Sequence, residues 1–182
     1  LVLSPRAVHR LETFKPPRPL PKVFRLFKDG ALIEGIFRGE TMNTPSMLCV
    51  EDALDALAWI ESIGGQKGCK ARSERSLAYV AEWVERTPWA SFLAQEPATI
   101  SSTSVCLSIA ADDLGDNAGD VPGMMATLLD GEGVAFDING YRSAPPGLRI
   151  WCGATVEPDD VAALMPWLDW AYETVRADML KG

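Results

Sequence analysis

Apolar positions along the chain change their period several times, and each change marks an element. Leu1-Val2-Leu3 is an apolar run that predicts the end of a strand. Ser4 and Pro5 then predict a helix start, because a serine hydroxyl accepts from a free backbone N–H and proline suits the first helical position. Residues 15–24 hold four prolines and predict an extended segment, with Val23, Phe24, Leu26 and Phe27 packing along a surface. A short hairpin or loop is expected over 30–48. From about Pro45, Leu48, Leu54, Leu57 and Ile60 recur at helical spacing until Gly64-Gly65. A second helix is expected over about 66–87, carrying Leu77, Val80, Trp83 and Val84, with Pro88 stopping it.

Later the pattern alternates. Residues 103–109 predict a strand, 112–120 a polar surface loop rich in Gly and Asp, and 121–133 a helix. Two further strands are expected, over 134–140 and 147–154. A last helix, over about 157–180, opens with Glu157, Asp159 and Asp160, where the helix dipole favours negative charge. The pattern as a whole is α/β, with an α+β unit over 66–182 and a first part, 1–65, that reads as the remnant of something larger. The absence of an initial methionine and the strand-like opening fit that expectation of truncation.

Composition narrows the function classes. Apolar residues make up 47% and charged residues 23% of the 182, enough for a real core. The formal charge of −8 disfavours general binding to nucleic acid or anionic lipid. No run of about 18 apolar residues is present, so a membrane span is not expected. Cys49, Cys69, Cys106 and Cys152 are scattered among apolar neighbours, which predicts buried thiols of a reducing compartment and a cytoplasmic protein. No CxxC pair occurs and His9 is the only histidine, so no metal site is expected.

Candidate chemistry rests on two stretches. In residues 140–153 (GYRSAPPGLRIWCG), Arg142 and Arg149 flank a Pro-Pro-Gly turn. Guanidinium forks match carboxylate and phosphate and stay charged when partly desolvated. The turn would let both converge on one anion. The plainer alternative is that they pair with surface acids such as Asp137 or Glu157. In residues 42–46 (MNTPS), Asn43 and Thr44 offer donors at a helix start, where anions bind readily; an ordinary cap is the plainer alternative. Trp151, Trp167 and Trp170 and the Met124-Met125 pair have spacings of core residues. Asp112-Asp113 and Asp159-Asp160 read as solvated surface or caps.

The segments SPRAVHRLE, PLPKVFRL, IEGIFRGETMNTPSMLCVEDALDAL, TSVCL and PPGLRIWCGATVE together resemble the C-terminal half of the phosphoserine aminotransferase family, over residues 1–178. That family belongs to the class V, fold-type I pyridoxal-phosphate transaminases. The resemblance implies the tail of a large cofactor-binding domain and the start of an interdomain helix over 1–65, and a small α+β domain over 66–182. It implies amino transfer between glutamate and 3-phosphohydroxypyruvate, giving O-phosphoserine and 2-oxoglutarate in serine biosynthesis, with a possible second role in pyridoxine synthesis. Pyridoxal phosphate is the implied cofactor, and a homodimer the implied assembly. By position, Arg149 is similar to the arginine that grips the substrate carboxylate and Arg142 to one that binds the substrate phosphate. Tyr141 stands where some relatives have a histidine, which removes a positive charge from that phosphate role. Asn43 and Thr44 are similar to the pair that reaches the cofactor phosphate of the other subunit.

The resemblance also implies that the lysine forming the Schiff base lies before the segment matching LVLSPRAV, so none of this chain's residues is expected to be catalytic. Lys15, Lys22, Lys28, Lys67, Lys70 and Lys181 match no such position. Two other readings stay open: a class V aminotransferase for a non-phosphorylated substrate, and a non-catalytic α+β module that keeps an anion pocket.

Overall fold

The computed structural model describes residues 1–181 and divides the chain into two compact units, Leu1–Leu57 and Ala58–Gly182. The first unit begins with α1 (Pro5–Thr13), capped as expected by the Ser4 hydroxyl, which accepts from the Ala7 N–H at 3.2 Å. No strand forms over residues 1–3. The proline segment ends in a 3-10 turn, Lys22–Phe24. Leu26 and Phe27 are half-buried, but Val23 and Phe24, in the 3-10 turn, are exposed, against expectation. A small hairpin follows, with β1 (Phe27–Lys28) antiparallel to β2 (Ala31–Leu32). Its tight turn places Asp29 and Gly30 at positive φ, which Asp and Gly tolerate better than branched residues.

Helix α2 (Met47–Ser62) starts two residues beyond Pro45. The periodicity was a true helix marker, yet none of its residues is buried, and Leu48, Leu54 and Leu57 are exposed. Gly64, in the left-handed conformation, separates it from α3 (Gly65–Arg86), which is capped by Thr87 just before Pro88.

The second unit holds a three-stranded antiparallel sheet in the order β3 (Ala90–Phe92), β4 (Ser104–Ile109), β5 (Gly147–Trp151). β3 was not expected; at three residues it is too short to show alternation. Helices α3, α4 (Val121–Gly131) and α5 (Pro158–Met179) pack with the sheet around one core. Val80 and Trp83 come from α3, Val105 and Leu107 from β4, Met125 and Leu129 from α4, Leu148 and Ile150 from β5, and Met165 and Leu168 from α5. Alternation along β5 sends Leu148 and Ile150 into that core and turns Arg149 to the opposite face. Across β4, Cys106 is its paired neighbour.

Three sequence expectations fail here for local reasons. Residues 134–140 form no strand, only an isolated bridge between Asn139 and Leu148, because Asp137 takes φ 54° and breaks the extended backbone. Residues 112–120 are not irregular loop but 3-10 turns, interrupted at Gly115. Trp151, Trp167 and Trp170 are substantially exposed, and the last two meet edge-on at 5.4 Å. Tryptophan does fill the core elsewhere, at Trp83.

The cysteines also divide. Cys152 is buried, Cys69 and Cys106 are half-buried, and Cys49, on unburied α2, is exposed. Burial pushes the Cys152 thiol up to about 11. At pH 8 its thiolate fraction is then roughly one in a thousand, and only the thiolate reacts. Iodoacetamide labelling of the native chain, mapped by peptide mass, is expected to modify Cys49 first and Cys152 last. Equal rates for the two would contradict the burial difference.

Candidate functional site

The site is built around β5 and the loop before it. Gly140 donates to the Gly147 carbonyl at 3.1 Å, which closes residues 140–147 into a compact loop. Within it the Ala144 N–H donates to the Tyr141 carbonyl at 2.9 Å. Gly147 sits so close to the backbone that a Cβ would collide with the Leu107 carbonyl, so the strand must begin with glycine. The Pro145-Pro146 pair stiffens the approach.

Arg149 emerges from β5 on the face away from the core. Its backbone N–H donates to the Ile138 carbonyl at 2.7 Å, tying β5 to the irregular 132–139 segment. Only 16% of its side chain is exposed. The guanidinium lies over the Tyr141 ring, 4.7 Å from the ring centre, a cation–π arrangement. Nη2 donates to the Asp137 carboxylate at 2.9 Å and to the Asp137 carbonyl at 3.2 Å. Nε is buried and has no partner among the described residues. A buried donor left without an acceptor costs about 1–3 kcal/mol. The pocket beside it is lined by Leu93, Cys106, Gly140, Tyr141 and Pro145. A guanidinium fork with a vacant buried donor, walled by apolar and aromatic groups, presents the donor pair that a carboxylate accepts, beside a cavity of only about 20 Å³.

The structure therefore brings Arg149 and Tyr141 together and leaves Arg142 apart from them. Arg142 is exposed on the loop, forms no ion pair among the described residues, and is not among the residues lining the Arg149 pocket. Of the two acids weighed as ordinary partners, Asp137 takes Arg149, whereas Glu157 takes Arg72 at 2.6 Å. Arg72 also donates to the Ala154 carbonyl at 2.7 Å, so it clamps the turn that follows β5. Leu93 and Cys106 escaped the sequence reading. Only knowledge of strand register, Cys106 opposite Arg149, would have found the cysteine.

Asn43 and Thr44 belong to the first unit, in the exposed irregular stretch that precedes α2. Short polar side chains at a helix entrance, with no side-chain hydrogen bond among the described residues, are of the kind from which a cofactor phosphate accepts. No lysine fits the other end. Lys15, Lys22, Lys28, Lys67, Lys70 and Lys181 are all exposed, and Lys28, Lys70 and Lys181 pair with neighbouring acids. Among the described residues no helix is long and apolar enough to cross a membrane.

No family model matches the chain. Phosphoserine aminotransferase of Methanosarcina mazei is 47% identical over 176 residues, and that of Methanosarcina barkeri 49%. Each alignment covers 97% of this chain and 46% of the relative, so the chain spans about half the length of the curated relatives it matches. The solved structure of phosphoserine aminotransferase from Bacillus circulans subsp. alkalophilus shares its fold, with a TM-score of 0.62 at 18% identity, over 73% of this chain and 34% of that one. The resemblance drawn from the quoted segments holds: the chain is related to part of the phosphoserine aminotransferases along nearly all its length.

Proposed function

We propose that this chain provides the substrate-gripping part of a phosphoserine transaminase, which moves an amino group between glutamate and 3-phosphohydroxypyruvate. The observation that supports this reading most directly is Arg149, whose buried Nε lacks an acceptor beside a small pocket. In this role Arg149 binds the substrate carboxylate, and Tyr141 fixes the plane of its guanidinium. Arg142, exposed on the same loop, supplies charge for the substrate phosphate. Tyr141 adds at most a hydrogen bond there, so most of the phosphate attraction within this loop falls to Arg142.

Pyridoxal phosphate is the cofactor of this reading, and when bound it supplies an electron sink for the carbanion formed at the substrate Cα. Asn43 and Thr44 hold its phosphate across a homodimer interface, and residues 1–65 and 66–182 act as parts of two domains. The setting is cytoplasmic serine biosynthesis, with pyridoxine synthesis a further use of the same phosphate and carboxylate contacts.

Mixing the 182-residue chain with pyridoxal phosphate is expected to leave the cofactor's visible spectrum unchanged. A chimera joining the chain to the portion of the Methanosarcina mazei relative that it does not match is expected to develop a visible band and to consume O-phosphoserine in preference to serine. A band from the chain alone would refute the division of labour. A completed chimera that prefers serine would redirect the reading to a non-phosphorylated substrate.

A further inference from the structure

We propose that Asp137 is a specificity-determining guard, an internal carboxylate that occupies the Arg149 fork and must be displaced by an incoming anion. The guard stands on the contact itself; the identity of the incoming anion as a substrate carboxylate rests on the function proposed above.

Asp137 presents two acceptors, side chain and carbonyl, to the same nitrogen of Arg149. Its side chain is 89% exposed while that of Arg149 is 16% exposed. The asymmetry decides what the carboxylate contributes. Arg149 is already oriented by its strand, by the Tyr141 ring, by the Asp137 carbonyl and by the bond from its own N–H to Ile138. Removing the Asp137 side chain leaves all four. What disappears is a negative charge placed on the donor that a bidentate ligand needs. An exposed ion pair is weak and exchanges readily, so it can screen the site without closing it.

The backbone supports the same role. Asp137 sits at φ 54°, in a segment joined to the sheet by a single bridge at Asn139. Asp and Asn tolerate this conformation far better than other non-glycine residues. In this conformation side chain and carbonyl both reach one nitrogen. The guard favours ligands that offer two anionic contacts over those that offer one, since displacing Asp137 returns nothing to a weak monodentate ligand.

The test uses the whole chain and phenylglyoxal, which modifies accessible arginines, with peptide mapping at Arg149. In Asp137→Asn, the Arg149 rate is expected to rise roughly two- to fivefold, the range an exposed ion pair supports. Asp137→Gly, which suits the positive φ, is expected to behave alike and guards against a folding artefact in either variant. An unchanged or slower rate in both overturns the guard. Glutamate titration, followed on the Arg149 Nε–H resonance, separates the two readings. A tighter response in Asp137→Asn supports both. No response in any variant, with the faster modification intact, sinks the carboxylate ligand and leaves the guard standing.

Discussion

Arg149→Ala, in a transaminase completed from the Methanosarcina mazei relative, is expected to lose on the order of 30- to 5,000-fold in kcat/KM for O-phosphoserine. That range corresponds to the 2–5 kcal/mol lost when one partner of a buried, hydrogen-bonded charge pair is truncated. The loss belongs to binding and not to folding. Arg149 lies on the face of β5 away from the core, and its partner Asp137 is exposed, so truncation leaves no buried carboxylate behind. Arg149→Lys keeps the charge but not the fork, and is expected to recover only part of the activity. Thermal denaturation run beside the kinetics checks that the variant is folded. A folded Arg149→Ala enzyme with near-normal kcat/KM would remove this arginine from the site.

The reason Arg149 could be singled out from sequence, while Asp137 was only one of two possible partners, is physical. An arginine at an odd position between Leu148 and Ile150 announces itself, because alternation must put it on the face opposite the core. The helices were legible for similar reasons: Ser4-Pro5 caps one, Gly64-Gly65 divides two, Pro88 stops the second of these, and Glu157, Asp159 and Asp160 open the last. Residues 134–139 have the composition of a strand, and only the left-handed backbone at Asp137 prevents one; single residues of that kind leave little trace in a pattern. Apolar periodicity also does not say what covers a helix, and so α2 matched its expected span with Leu48, Leu54 and Leu57 exposed. Tryptophan spacing misled in the same way: Trp167 and Trp170 are three apart on α5, yet Leu168 and Ala171 take the buried stripe. The convergence of Arg142 with Arg149 depended on how a Pro-Pro-Gly turn folds, which residue types alone do not fix.

Trp83→Ala is expected to cost about 3–5 kcal/mol, the range for truncating a fully buried large aromatic. Against a typical total of about 5–15 kcal/mol for a domain, that is enough to unfold much of the 58–182 unit at moderate urea. Trp83 has no exposed surface, meets Trp89 edge-on at 5.2 Å, and donates from Nε1 to Asp169 at 3.0 Å. Trp89 in turn stacks on Tyr172 at 4.0 Å, and the Tyr172 hydroxyl donates to the Ala110 carbonyl at 3.0 Å. One side chain thus couples α3, α5 and the end of β4. Two effects compete in the loss, the vacated volume and the broken hydrogen bond, and Trp83→Phe separates them. Asp169 is only half-buried, so water can replace the lost donor, and phenylalanine refills much of the ring space. Urea midpoints are therefore expected to fall slightly for Trp83→Phe and steeply for Trp83→Ala. If the two variants fell equally, the Asp169 bond and not the packing would be what joins α3 to α5, and the core that backs the Arg149 strand would rest on a polar contact.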